Sequence, residues 1–340
     1  MIEYVMLLYL IFICIVAAVT DWKYGKIYNK WLVAGVCPGI ILVIFYYLNH
    51  QESIYLFLTN LSSALVIAVL FFALKMWGAG DSKLWLFVNF LYPAGWYLVS
   101  DQMLFPLMFL LMIIFIEAYF YLLCESVWLA VFHKDRAVLF QKEKFQIDQI
   151  WDIIFSISCL SIVYTICSYI LNGYYENNRI FFSLLGILFA GKLISVRISY
   201  KRVWTILAFA VYIIMNTYPK QSYDFRLLIM TAVLVIVTHI SLKFTDCFNY
   251  EWIRTQDIKT GMILSYWAIQ QFYGSRVKGL PSFTDETTKS RISQEEAEAI
   301  KRWEKSKYGK EYVMIVRYIP FAIFILSGLF TYLMGVWRIK

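Results

Sequence analysis

Apolar residues in this chain come in long continuous runs, set apart by short polar connections. Measured against a membrane crossing of about 20 residues, the runs predict roughly ten helices. They lie near 2–19, 31–48, 54–74, 84–99, 103–132, 150–171, 179–196, 203–218, 226–244 and 313–335. Unbroken runs favour helices over the alternating strands of a membrane barrel. The fourth run is short and interrupted by Pro93 and Gly95, and the fifth is long enough to need tilt or a cytoplasmic extension. The first could pass for a signal peptide. It carries Glu3 where a basic start is needed, however, and reaches Thr20-Asp21 without a cleavage pattern, so it reads as a span.

Lysine and arginine placement orients these spans. One set of connections carries Lys23, Lys26 and Lys30, then Lys75 and Lys83, then Lys134, Arg136, Lys142 and Lys144, then Arg197, Lys201 and Arg202. The alternate set is nearly bare: 49–53 and 100–102 (with Asp101) have no lysine or arginine, and 172–179 has only Arg179. All the rich connections fall on the cytoplasmic side if both termini lie outside. The expected fold class is therefore all-α, a polytopic transmembrane bundle of about ten spans in a prokaryotic plasma membrane, with no nucleic-acid partner.

Composition agrees with that pattern. Of 340 residues 61% are hydrophobic and 16% charged, against a charged share of about 25% in soluble domains. The one sizeable soluble stretch is 245–312. Within it, Ser293-Gln-Glu-Glu296 is a capping box that predicts a helix start, and 274–290 reads as loop around Gly279 and Pro281. The organisation read from the sequence is a membrane core at 1–132, additional helices at 133–244, the soluble segment at 245–312 and a last helix at 313–340. Six cysteines occur, five of them inside apolar runs, with no C-x-x-C pair. The histidines are His50, His133 and His239, and no H-E-x-x-H occurs. Neither a metal site nor a cofactor is expected.

Two aspartates stand out by position. Asp21 closes the first span, in Val19-Thr-Asp-Trp-Lys-Tyr-Gly-Lys-Ile-Tyr-Asn29, and Asp81 opens the fourth, in Trp77-Gly-Ala-Gly-Asp-Ser-Lys-Leu84. The predicted topology sets both at the cytoplasmic border of the membrane, at equal depth. One aspartate there is an ordinary interfacial charge; a pair preceded by glycines suggests chemistry. Two carboxylates held about 3 Å apart cannot both ionise comfortably and share one proton. The ionised member can then take a proton from water while the protonated one hydrogen-bonds a peptide carbonyl. Gly78 and Gly80, without side chains, would let an extended substrate backbone approach Asp81.

At these residues the chain resembles a known family. Gly78-Ala-Gly-Asp-Ser-Lys-Leu84 is similar to the G-x-G-D-x-K-L signature of the prepilin peptidases, the type IV leader peptidases. Ala17-Ala-Val-Thr-Asp-Trp-Lys-Tyr-Gly-Lys-Ile-Tyr-Asn29 resembles the family's first aspartate motif, with Tyr28 in place of its usual proline. The resemblance covers about the first 130 residues. It implies that Asp21 and Asp81 form a catalytic dyad and that Asn29 and Lys83 support it. It also implies that the partners are prepilin-like precursors with a short basic leader, a small residue such as glycine before the cut, and a hydrophobic helix. The cysteine-bearing domain that accompanies N-methylation in many bacterial members is missing, so methylation is not expected.

Other charges fall inside the spans. Glu117 is near the middle of the fifth, Glu125 towards its cytoplasmic end, and Lys192 at a depth comparable with Glu125. A Glu125–Lys192 ion pair and separate snorkelling to the interface are equally open. A transporter or channel, and a non-catalytic pilus or secretion assembly protein of the same fold, are the rival functions. The acids cluster at the border rather than the midplane, which weighs against a carrier, and intact aspartates in both motifs weigh against a degenerate scaffold.

Overall fold

The computed structural model describes residues 1–74, 76–98, 105–132, 147–195, 199–217, 225–286 and 290–339. Lys75, Asp101, His133, Lys134, Arg136, Lys142, Lys144 and Arg197, used above to read topology and ligands, lie outside the described residues. A helix forms at each of the ten predicted places. These are α1 (Ile2–Tyr24), α2 (Asn29–Asn49), α3 (Ile54–Ala73), α4 (Ala79–Leu91), α5 (Met108–Phe132) and α6 (Ile147–Leu171). After the short α7 (Gly173–Asn177) come α8 (Arg179–Ser195), α9 (Lys201–Thr217) and α10 (Phe225–Asp246).

Among the described residues six helices are long and apolar enough to cross a membrane: α1, α2, α3 with the turn before it, α5, α6 and α10. The chain is thus a multi-pass membrane protein. The others are shorter; α4, at 13 residues, rises only about 20 Å, less than the hydrocarbon thickness of a bilayer.

The soluble stretch departs from the all-helical expectation. It holds β1 (Tyr250–Arg254), β2 (Ile263–Leu264), α11 (Tyr266–Phe272), α12 (Gln294–Glu304) and β3 (Tyr312–Val316) before the last helix, α13 (Ala322–Ile339). The strands form one antiparallel sheet in the order β1-β3-β2, with Tyr250 opposite Val316 and Ile263 opposite the same residue. Ile258, Ile300, Trp303 and Val313, all fully buried, make a core separate from that of the membrane helices. The predicted capping box is present: the Glu296 N–H donates to Ser293 Oγ at 3.2 Å, and the Ser293 N–H to Glu296 Oε2 at 2.8 Å. The last helix starts later than the expected 313 because the apolar run there is two elements, a strand and then a helix, parted at Pro320.

The helix α13 packs between α1 and α5, so the end of the chain completes the bundle begun by its start. Gly328 makes this close: a Cβ there would stand 2.6 Å from Ile114 Cγ1. Ser327 and Thr331 of α13 both donate to the Glu117 carboxylate on α5, the second at 2.6 Å, which satisfies a half-buried acid within the span. Glu125 is ion-paired with Arg317, a cation supplied by the linker after β3. The added helices α6, α8, α9 and α10 pack mainly on one another, with Lys201 and Asp152 paired at 2.7 Å.

Irregular backbone in a membrane needs internal partners. Where α4 gives way to a 3-10 turn at Ala94–Trp96, Tyr46 Oη accepts from the Gly95 N–H at 2.9 Å and Tyr332 Oη from the Leu98 N–H at 3.1 Å. Glu3 accepts from Tyr46 Oη at 2.9 Å and from Trp96 Nε1 at 3.0 Å, and so ties the start of α1 to the same stretch. The N-terminal end of α1 and the C-terminal half of α13 therefore lie together at the end of the bundle remote from Asp21.

Candidate active site

Asp21 stands in the last turn of α1, which Gly25 closes in the left-handed conformation with φ +61°. Asp81 stands in the first turn of α4, whose N-cap is Gly78. Since α1 runs towards this end of the bundle and α4 runs away from it, the two side chains come to the same end. The loops that carry them are joined directly: Lys83 Nζ donates to Asn29 Oδ1 at 2.9 Å. The two supporting residues inferred from the motifs therefore bond one another and hold the motifs in register.

The glycines serve packing more than open access. A Cβ on Gly80 would meet Ile27 Cβ at 3.1 Å, so the first motif loop lies against the second through the space that glycine leaves. Gly78 is extended, with φ −81°, a conformation open to any residue. Its N–H donates to Asp81 Oδ2 at 3.0 Å, and a Cβ there would lie 3.1 Å from that oxygen. Ile27 thus fills the space a Cβ on Gly80 would take, while Gly78 lies beside the carboxylate. Next to Gly78 in the chain, the buried Trp77 packs on Phe71, Phe115 and Phe321.

The two carboxylates differ in surroundings. Burial first, and then the negative charge of Asp21, push the Asp81 carboxyl up from 3.8 to about 7, against the opposing hydrogen bond from the Gly78 N–H. Asp21, only 2% exposed, has a donor on each oxygen. Tyr318 Oη donates to Oδ1 at 2.5 Å, and the Ala322 N–H, opening α13, donates to Oδ2 at 3.2 Å. Donors of this kind, one on each oxygen, fix the orientation of the carboxylate. Tyr318 is itself held: the Arg291 guanidinium lies 5.1 Å over its ring and donates to the Gly25 carbonyl oxygen at 2.5 Å. Burial, and then the hydrogen bond to Asp21, raise the Tyr318 phenol well above its usual range, so it stays a donor.

Tyr318, Arg291 and the start of α13 are the neighbours that sequence reading missed. Their contacts join residues some three hundred positions apart, and neither side chain sits in a recognisable motif. The one hint is Arg317-Tyr-Ile-Pro320, a polar interruption within what otherwise reads as a single apolar run. An apolar groove of about 670 Å³ opens beside the site, between α2, α3 and α4, lined by Val36, Leu61, Leu65, Phe87 and Phe90, with Lys83 among its lining residues. No group of three or more histidine, cysteine, aspartate or glutamate side chains arranged to hold a metal occurs among the described residues.

Residues 8–124 match the type IV leader peptidase family, a stretch that contains Asp21, Asn29, Gly78, Gly80, Asp81 and Lys83 and ends before Arg291 and Tyr318. No curated protein matches the chain, and no solved structure does.

Proposed function

We propose that this protein is an aspartic endopeptidase that removes the leader of prepilin-like precursors at the cytoplasmic face of a prokaryotic plasma membrane, with Asp21 and Asp81 as its catalytic pair. The observation that carries this reading is the pairing of unlike carboxylates. One has a donor on each oxygen, and the other is close enough to feel its charge and keep a proton near neutral pH. In the proposed reaction Asp21 accepts a proton from water as the water oxygen attacks the scissile carbonyl, and protonated Asp81 donates to the carbonyl oxygen. The resulting gem-diol collapses with cleavage of the C–N bond. The leaving amine takes the proton from Asp21, and Asp81 recovers its own from a diol hydroxyl. No metal or cofactor takes part.

The apolar groove beside Lys83 suits the hydrophobic helix of such a precursor. The catalytic unit of this reading is the membrane core at 1–132 together with α13, and 133–244 is an added helical module. Glu3 and Glu117 serve as ties between helices, which weighs against their use as carrier acids.

Purified protein in detergent, given a precursor with a basic leader, a glycine before the cut and a hydrophobic helix, tests the reading. Asp21→Asn and Asp81→Asn each lower the cleavage rate by about a thousandfold or more, and the double variant is little worse, because members of one catalytic unit fail together. Asp81→Asn protein that cuts at near wild-type rate ends this reading. Intact cleavage with defective transport in reconstituted vesicles turns it towards a carrier.

A further inference from the structure

The carboxylate of Asp21 is not positioned by the two motifs. Its described donors come from the other end of the chain, through Tyr318 and the backbone where α13 begins. The phenol is fixed in turn by Arg291, whose guanidinium spans from the Tyr318 ring to the Gly25 carbonyl, four residues beyond Asp21. A Cβ on Gly25 would stand 3.0 Å from Arg291 Nη1 and 3.3 Å from the Tyr318 ring, so this junction is closely packed as well as bonded. Arg291 is bridged to β2 through Ile263, and Tyr318 follows β3 by two residues, so both hang from the sheet of the soluble segment.

Resting on the peptidase reading, we infer that Tyr318 is a positioning residue for the reaction. Its hydroxyl aims the Asp21 carboxylate, and Arg291 locks the phenol in place. The soluble segment is thereby a structural part of the catalytic end. The groups facing Asp21 are Asp81 from α4, Arg291 and Tyr318 from the soluble side, and the backbone at Phe321 and Ala322 where α13 begins. Of these only Tyr318 donates a side-chain hydrogen bond to the carboxylate, so its hydroxyl is the group whose removal tests the role.

Tyr318→Phe keeps the ring and its stacking on Arg291 and loses the hydroxyl. Expected is a fall in kcat of about 10- to 100-fold, the size of one charge-assisted hydrogen bond, with KM within about twofold. The acid limb of the pH–rate profile should move to higher pH, because the carboxylate of Asp21 has lost a donor. A residue that only stabilised the fold would leave that limb in place. If Tyr318→Phe folds poorly, a 3-fluorotyrosine at position 318 serves in its stead: a more acidic phenol is a stronger donor and should move the limb to lower pH. Arg291→Gln should reproduce part of the kcat loss, with less shift of the limb. Wild-type kcat and an unmoved acid limb in Tyr318→Phe, or an unmoved limb with fluorotyrosine, overturn the inference. If Asp21→Asn and Asp81→Asn are inactive in the same assay, that failure is confined to Tyr318. If they are active, the peptidase reading itself has failed.

Discussion

Asp21 and Asp81 are the same side chain in different surroundings, and in the proposed reaction that difference divides their labour. Asp21 is met by a phenol and a helix-opening N–H, while Asp81 has backbone donors of its own loop, Gly78 among them, and the charge of Asp21 nearby. In the proposed reaction Asp81 must begin protonated, and its carboxyl, raised to about 7, loses that proton as pH rises through neutrality. The rate should therefore fall along an alkaline limb centred near pH 7, readable as kcat/KM against pH; a profile flat to pH 9 contradicts the assignment. Stability follows the same sign. A carboxyl that binds its proton more tightly when folded stabilises fully below its ordinary value of 3.8, and that contribution is lost as pH rises through about 7. Asp81→Asn should gain thermal stability over the parent progressively between about pH 4 and pH 7, and no further above. At this scale the sequence was informative where residues fall in one motif. Asp21, Asp81, Asn29 and Lys83 could be read in advance, whereas Tyr318, one tyrosine among 26, had no local pattern to mark it.

Elements were legible wherever hydrophobic period and length agreed, which is why all ten predicted helices have counterparts. Period alone could not part β3 from α13, since Val313-Met-Ile-Val316 is a short apolar run that suits a buried strand or a helix turn equally. Nor could it show how the shortest membrane helix, α4, is held. A polar tie spans α3, α4 and the chain before α5: Asn60 Nδ2 donates to Asn89 Oδ1 at 3.0 Å, and Asn60 Oδ1 accepts from the Leu107 N–H at 3.1 Å. Asn60 and Asn89 are both fully buried. Asn60→Leu would leave the Leu107 N–H and the Asn89 oxygen without those partners, at a cost of about 1–3 kcal/mol. Since Asp81 rides on the first turn of α4, cleavage should fall alongside. Reversible unfolding in mixed micelles measures the first effect, and a variant as stable as the parent shows that the tie carries nothing.

At the scale of the whole molecule, internal contacts and charge fix different parts of the topology. The bond from Arg291 to the Gly25 carbonyl puts the soluble sheet and the Asp21 loop at one end of the bundle, while Glu3, Trp96 and Tyr332 gather at the other. Packing is indifferent to which end faces the cytoplasm. The basic residues supply that sense, because Lys23, Lys26 and Lys30 and most of the charge of the soluble stretch share the Asp21 end. The resulting prediction uses single cysteines in a chain cleared of its six native ones, probed with an impermeant thiol reagent on intact cells. Glu52→Cys and Arg338→Cys should label from outside, and Lys26→Cys and Lys305→Cys only once the membrane is opened. Should Lys26→Cys and Lys305→Cys label from opposite sides, the contacts among Asp21, Tyr318 and Arg291 could not exist in the membrane, and the positioning role of Tyr318 would go with them. Should both label from outside, the site would stay intact but face away from newly made precursors, whose basic leaders remain in the cytoplasm. A cytoplasmic leader peptidase requires the first pattern, since the leader and the two aspartates must meet on the same side of the bilayer.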